Sequence, residues 1–169
     1  ARRAIVPRLK NSVFLSFDYS QMEMRVLFYY LNNPESDAFI DDLNWDCHGW
    51  VATKVWGIQP SSPSFSSFRK LAKAINFGII YGEGNGLLAA QINKTVEEAK
   101  KFRQDYYDRV PGIRKLLRDI KQTHKSRGYI RNAFGRHYAV DEEREYVLLN
   151  YLVQGTSGDF VKNRMWAIE

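Results

Sequence analysis

The sequence predicts an α+β protein that is mainly helical, and three observations carry that expectation. Candidate helices account for most of the chain, two Ser/Thr-x-x-Glu capping boxes mark helix starts at Ser20 and Thr95, and β-type patterning is confined to one apolar run and one short hairpin. The apolar run, Val13 to Tyr19, reads as a largely buried strand ending near Asp18. Ser20-Gln21-Met22-Glu23 then caps a helix over Met24 to Leu31, which Asn32-Asn33-Pro34 ends. Glu35 to Leu43 and Asp46 to Trp56 are expected helices, Gln59 to Ser67 a Ser/Pro-rich loop, and Phe68 to Tyr81 a longer helix. Gly82-Glu83-Gly84-Asn85-Gly86 breaks the chain, and Thr95-Val96-Glu97-Glu98 opens a helix to about Arg109. Pro111 suits the first turn of another helix that stops at Gly128. Tyr129 to Arg131 and His137 to Val140 form a hairpin, and Glu142 to Tyr151 and Gly158 to Ile168 are two closing helices.

Composition narrows the function classes. The 169 residues hold enough apolar side chains (44%) to build a core, which excludes disordered and collagen-like chains. The single cysteine, Cys47, excludes an internal disulfide and makes a reducing compartment the default; His48 beside it has no companion pair at zinc spacing. No apolar run reaches the roughly 18 residues of a membrane span, so no membrane partner is expected. The chain starts at Ala1 rather than Met and reaches Glu169 within a helical pattern, so further sequence is expected on both sides. The net charge of +6 is uneven: Lys94 to Arg136 carries 13 bases against 5 acids, leaving a slightly acidic remainder. A basic middle fits a polyanion partner, and equally a solvated helix face.

Arg69, Lys73, Phe77 and Tyr81 recur every fourth residue, so they share a helix stripe of roughly 120°. Two cations and two rings on one face suit a nucleoside triphosphate, although Phe and Tyr at that spacing also suit a core. Gly78 and Gly82 keep the helix end slim enough for a base pair to approach the backbone. Asp18, at a strand tip, is placed to bind Mg²⁺ with a backbone carbonyl; alternatively it is a turn residue and Glu23 only a helix cap. Gln154-Gly155-Thr156-Ser157-Gly158-Asp159 offers polar groups at a glycine-punctuated site that could meet minor-groove acceptors. Tyr129, Arg131, Phe134, Arg136 and His137 interleave rings and bases around the hairpin, as a nucleic-acid platform or a cross-strand cluster does.

Three ordered blocks resemble family A DNA polymerases: Asp18-Tyr19-Ser20-Gln21-Met22-Glu23-Met24-Arg25, Arg69 through Gly82, and Val153-Gln154-Gly155-Thr156. They look like that family's motifs A and B and its glutamine motif. Asp46-Cys47-His48, Arg127-Gly128-Tyr129 and Phe134-Gly135-Arg136 extend the resemblance over nearly the whole chain. It implies a palm segment (1–34), fingers (35–128) and a return to the palm (129–169) of a right-hand polymerase whose palm sheet is incomplete here. The implied reaction adds dNTPs to a primer 3′-hydroxyl on template DNA with two Mg²⁺ ions. Asp18 would be one of two metal-binding aspartates, with the Tyr19 carbonyl nearby. Gln21 and Glu23 would belong to the nucleotide site, Glu23 as the gate against a 2′-hydroxyl. Arg69 and Lys73, helped by His48, would hold the triphosphate, and Phe77 would pack on sugar and base, discriminating against dideoxynucleotides. Tyr81 would stand at the template-base position. Gly82, Arg136, Asn150 and Gln154 would meet primer-template DNA.

Two departures from the family pattern stand out. No His-Asp-Glu triplet, the family's site for the second catalytic aspartate, occurs in these 169 residues, so the chain alone is expected to be inactive and to need palm and thumb segments of the same polypeptide. Tyr146 stands eight residues before Gln154, where the family usually has arginine, with Arg144 close by. The alternatives are a catalytically inactive DNA-binding module and a single-subunit RNA polymerase, the latter opposed by Glu23. The resemblance implies an intracellular location, in cytoplasm or nucleoid, with organelles and phage-infected cells also compatible.

Overall fold

The computed structural model describes residues 11–13, 16–40, 42 and 44–167. Among them lie helices α1 (Met22–Leu31), α2 (Pro34–Ile40), α3 (Cys47–Trp56), α4 (Phe65–Ile80), α5 (Asn85–Ile92), α6 (Val96–Arg109), α7 (Ile113–Arg127) and α8 (Leu148–Trp166). A 3₁₀ helix, Glu142–Val147, precedes α8, and two short strands, β1 (Ile130–Arg131) and β2 (His137–Tyr138), pair antiparallel with Ile130 opposite Tyr138. The architecture is the mainly helical α+β fold that the sequence predicts.

Several helix ends follow local chemistry. At α6 the Glu98 N–H donates to the Thr95 hydroxyl at 3.1 Å while the Glu98 carboxylate accepts from the Thr95 N–H at 2.9 Å, the full capping box. α7 ends at Gly128, whose φ of 76° is left-handed and whose N–H donates to the His124 carbonyl at 2.7 Å. α2 stops at Ile40, short of Leu43, because Arg25 collects the carbonyls of Phe39, Ile40 and Asp42 at 3.2, 2.7 and 2.7 Å. A cation on carbonyls left open at a helix C-terminus satisfies them and opposes the helix dipole.

Other expectations are corrected. Phe14 and Leu15 of the expected strand lie outside the described residues; Val13, Ser16, Phe17 and Asp18 are irregular and exposed, and no described strand pairs with them. A strand needs a hydrogen-bonded neighbour to form. The capping box at Ser20 does not form either. Gln21 caps α1 instead, in left-handed backbone (φ 51°), and makes no side-chain bond to its own helix. The glycine-rich break after Tyr81 includes a helix, α5, because Leu88 and Ala89 can be buried there. The two expected closing helices are a 3₁₀ turn followed by one helix of 19 residues that runs through Gly155 and Gly158; Ile168 lies outside the described residues.

The core joins α1 with α3, α4, α5, α6, α7 and α8. Phe28, Phe39, Trp45 and Trp50 form a ring cluster at one side, with Phe28 edge-on to Trp45 at 4.7 Å and Phe39 stacked on Trp45 at 4.8 Å. The hairpin packs on α8 at Gly155, where a Cβ would collide with the Tyr138 hydroxyl and come within 2.7 Å of its ring. Gly155→Ala is therefore expected to lower stability by about 1–3 kcal/mol, as overpacking does, and Tyr138→Phe in the same chain to recover part of that loss. Urea denaturation of the single and double variants measures both effects.

Candidate functional site

The site begins with the two faces of α4. Ala72, Ile75, Asn76, Gly78, Ile79 and Ile80 are buried, mostly against α3, whereas Lys73 and Tyr81 are exposed and Arg69 and Phe77 half-buried. The four-residue stripe therefore lies away from the core, and the core-packing alternative falls. Phe77 and Tyr81 stack with ring centroids 5.9 Å apart and planes 13° from parallel. Gly78, by contrast, is on the buried side, where a Cβ would meet the Glu83 carboxylate at 3.2 Å.

At the end of the stripe three distant segments meet. The Tyr81 hydroxyl donates to Glu23 Oε2 at 3.0 Å, and the Gln154 amide donates to Glu23 Oε1 at 3.1 Å and to the Tyr81 oxygen at 3.3 Å. Burial and the neighbouring Glu23 carboxylate push the Tyr81 phenol above its ordinary pKa, so it remains a donor. Glu23 is thus a bridge rather than the cap of α1.

The first turn of α3 supplies the other wall. Arg69 Nε donates to Asp46 Oδ2 at 2.8 Å. His48 is buried, with Nδ1 2.9 Å from the Asn76 amide nitrogen and its ring 5.8 Å from Phe77. Because the amide nitrogen donates, Nδ1 accepts, and the ring proton sits on Nε2. Burial first, then the Arg69 charge, lowers the His48 pKa to about 4, so it is neutral near pH 7 and can hold phosphate only as a hydrogen-bond donor.

The remaining sequence candidates fall into different surroundings. Asp18 and Tyr19 are exposed, and Tyr19 meets Phe160 edge-on at 5.3 Å. Gln21 is occupied structurally: its amide donates to the Trp45 carbonyl at 2.5 Å and accepts from the Cys47 N–H at 3.2 Å, leaving little for a nucleotide. Gly82 takes φ 68°, and the space a side chain would fill is taken by Tyr146, so the close approach there is internal. Arg136 is held by Asp159 through Nε at 2.9 Å and a terminal nitrogen at 2.6 Å. That pairing and an Asn132 hydrogen bond lower the Asp159 carboxyl to about 2. Asn150 is half-buried one turn before Gln154 on α8. The basic middle partly converges: Arg103, Arg114, Arg118 and Lys121 line a cavity of about 430 Å³ with Gly82, Tyr107 and Tyr146.

Sequence reasoning gave no role to Asn76 or to the Tyr30–Thr156 contact. Asn76 is a polar residue on an otherwise apolar helix face, a readable signal. Tyr30 is less readable: its hydroxyl lies 2.7 Å from Thr156 Oγ1 and accepts from the Ala133 N–H, joining α1, α8 and the hairpin.

Comparison with known proteins gives the same grouping. The pattern of DNA polymerase family A matches residues 1–169. DNA polymerase I of Streptococcus pneumoniae is 30% identical over 174 residues, covering 97% of this chain and 20% of that protein. DNA polymerase I of Rhizobium leguminosarum is 34% identical over 92% of this chain and 16% of its own length. The POL domain of Pol1 from M. smegmatis, solved in complex with DNA primer-template and dNTP, superposes with a TM-score of 0.72 at 30% identity. That match covers 86% of this chain and 27% of the other. The chain belongs to DNA polymerase family A. It spans about a fifth of the length of the curated relatives it matches.

One consequence concerns pH. Unfolded His48 binds a proton near pH 6.5 and folded His48 only near 4, so its stabilising contribution is complete above pH 6.5 and drains away as the pH falls toward 4. The loss is expected to reach roughly 3 kcal/mol. Urea midpoints at pH 7 and pH 4.5 should fall more steeply for the unmodified chain than for His48→Gln.

Proposed function

We propose that these residues form the nucleotide-insertion surface of a DNA-templated DNA polymerase. The junction of Glu23, Tyr81 and Gln154 carries the reading, because it seats a motif A carboxylate at the end of the Arg69–Tyr81 stripe. In the proposed reaction the primer 3′-oxygen attacks the α-phosphorus, and the new P–O bond forms as the bond to pyrophosphate breaks. Arg69 and Lys73 oppose the charge of the triphosphate and of the leaving pyrophosphate, and the His48 Nε2–H adds a neutral donor. Phe77 presents its ring to sugar and base. Tyr81 holds the place that the template base takes, and Glu23, fixed by two donors, leaves no room for a 2′-hydroxyl. Asn150, and Gln154 once its amide leaves Glu23 and Tyr81, would donate to minor-groove acceptors, which all base pairs share. The cationic cavity beside Gly82 suits the phosphates of the template strand.

Family A polymerases generally use divalent metals, and Asp18 with the Tyr19 carbonyl is the candidate edge of such a site. One exposed carboxylate does not make the two-Mg²⁺ site. Among the described residues no group of three His, Cys, Asp or Glu side chains comes together, so no step is assigned to a metal held by this chain alone.

Two outcomes test the reading. The 169-residue chain, given primer-template, dNTPs and Mg²⁺, is expected to extend no primer; Mg²⁺-dependent synthesis abolished by Asp18→Ala would overturn that. In the complete gene product, Glu23→Ala is expected to raise ribonucleotide use relative to dNTP about tenfold or more. Tyr81→Phe, which removes one of the donors that fix Glu23, should fall between; unchanged sugar selectivity in both variants sinks the gate assignment.

A further inference from the structure

We propose that Asp46 is a positioning residue for the triphosphate: its carboxylate holds the Arg69 Nε–H and so presents the two terminal guanidinium nitrogens to phosphate. This rests on the reading of Arg69 as a triphosphate ligand.

Asp46, just before α3, and Arg69, on α4, are 23 residues apart and meet at 2.8 Å. Among the described residues this is the one hydrogen bond Arg69 makes, so the end of its planar fork is not engaged by protein. A carboxylate or phosphate meets such a fork with two parallel bonds, which requires the fork to be aimed. The seat of Asp46 is shaped for the task. A Cβ on Gly49 would collide with the Asp46 carboxylate and come within 3.0 Å of the Phe65 ring, so a glycine one turn into α3 makes the room. The second Asp46 oxygen, Oδ1, is shielded and has no hydrogen-bond partner among the described residues, where Arg69 is the carboxylate's ion-pair partner. Burial raises the Asp46 pKa, but the hydrogen bond and charge of Arg69 outweigh it and hold the acid below its ordinary value, so it stays ionised.

The pair is a poor stabilising device. Its side chains are 43% and 40% exposed, and ion pairs so open to water add little to folding. Its effect lies in orientation: a long, flexible side chain fixed beforehand loses less freedom when phosphate arrives. Asp46 is also the N-cap of α3 without capping its own helix by a side-chain hydrogen bond. Its Oδ2 accepts from Arg69 on α4 instead.

Single-nucleotide insertion by the complete gene product on primer-template DNA tests this. Asp46→Ala is expected to raise the KM for dNTP about tenfold while kcat changes less than about twofold. Asp46→Asn, which keeps the shape but loses the charge, should raise KM by roughly threefold. In an Arg69→Ala background, Asp46→Ala should add less than about a twofold further change, because the two residues act as one unit. A KM that is unchanged or lower in Asp46→Ala, while Arg69→Ala raises it, overturns the proposal and leaves the Arg69 reading standing. So do effects that multiply in the double variant. An Arg69→Ala enzyme with normal KM overturns the Arg69 reading, and the proposal with it. Urea midpoints show which variants are folded, and Asp46→Asn decides the matter if Asp46→Ala is not.

Discussion

The burial of one face of α4 is the constraint on which the rest of the structure depends. Ala72, Ile75, Ile79 and Ile80 are almost completely withdrawn from water, and α3 covers much of that face. Each buried isoleucine side chain contributes on the order of 1.5–3 kcal/mol, so turning the helix about its axis would forfeit several such terms together. The rotation of α4 is therefore fixed by apolar packing, and the direction of Arg69, Lys73, Phe77 and Tyr81 follows from it. The candidate site is built on the side of an amphipathic helix that core packing leaves open.

Polar bonds then refine what packing sets. The first turn of α3 offers the Asp46 carboxylate to Arg69, and Asn76 reaches back from α4 to the His48 ring. On the opposite flank α8 is held by contacts that are unrelated to its own helical pattern. Tyr138 lies over Gly155, Asp159 takes both Asn132 and Arg136, and Tyr30 bridges Thr156 to the hairpin backbone. These contacts fix the helix on which Gln154 rides, and Gln154 meets α4 through Tyr81. Hairpin, α8, α1 and α4 thus form a closed circuit around the candidate site.

Much of this was legible in the sequence, and the failures have physical reasons. Helix starts and stops governed by neighbouring residues, as at Thr95 and Gly128, were readable because their hydrogen bonds span three or four positions. The α4 stripe was readable for the same reason: its period is local. The Ser20 box does not form, and Gln21 and Glu23 instead make long-range bonds, to Trp45, Cys47, Tyr81 and Gln154, that no short window contains. Gly155 and Gly158 looked like breakers because glycine costs helix stability, and only the Tyr138 ring explains why one is tolerated. Arg136 reads as a DNA contact in the sequence, and its pairing with Asp159, 23 residues on, is a tertiary contact that no short window contains. The family motifs located the candidate residues, while their hydrogen-bonding state came from tertiary structure alone.

Glu23, Tyr81 and Gln154 are each hydrogen-bonded to the other two, although 131 residues separate the first from the last. Such a triangle ties three remote stretches of backbone to one geometry. Replacing one member removes a bond from each of its fellows, so a change at any one of the three positions is felt at the other two.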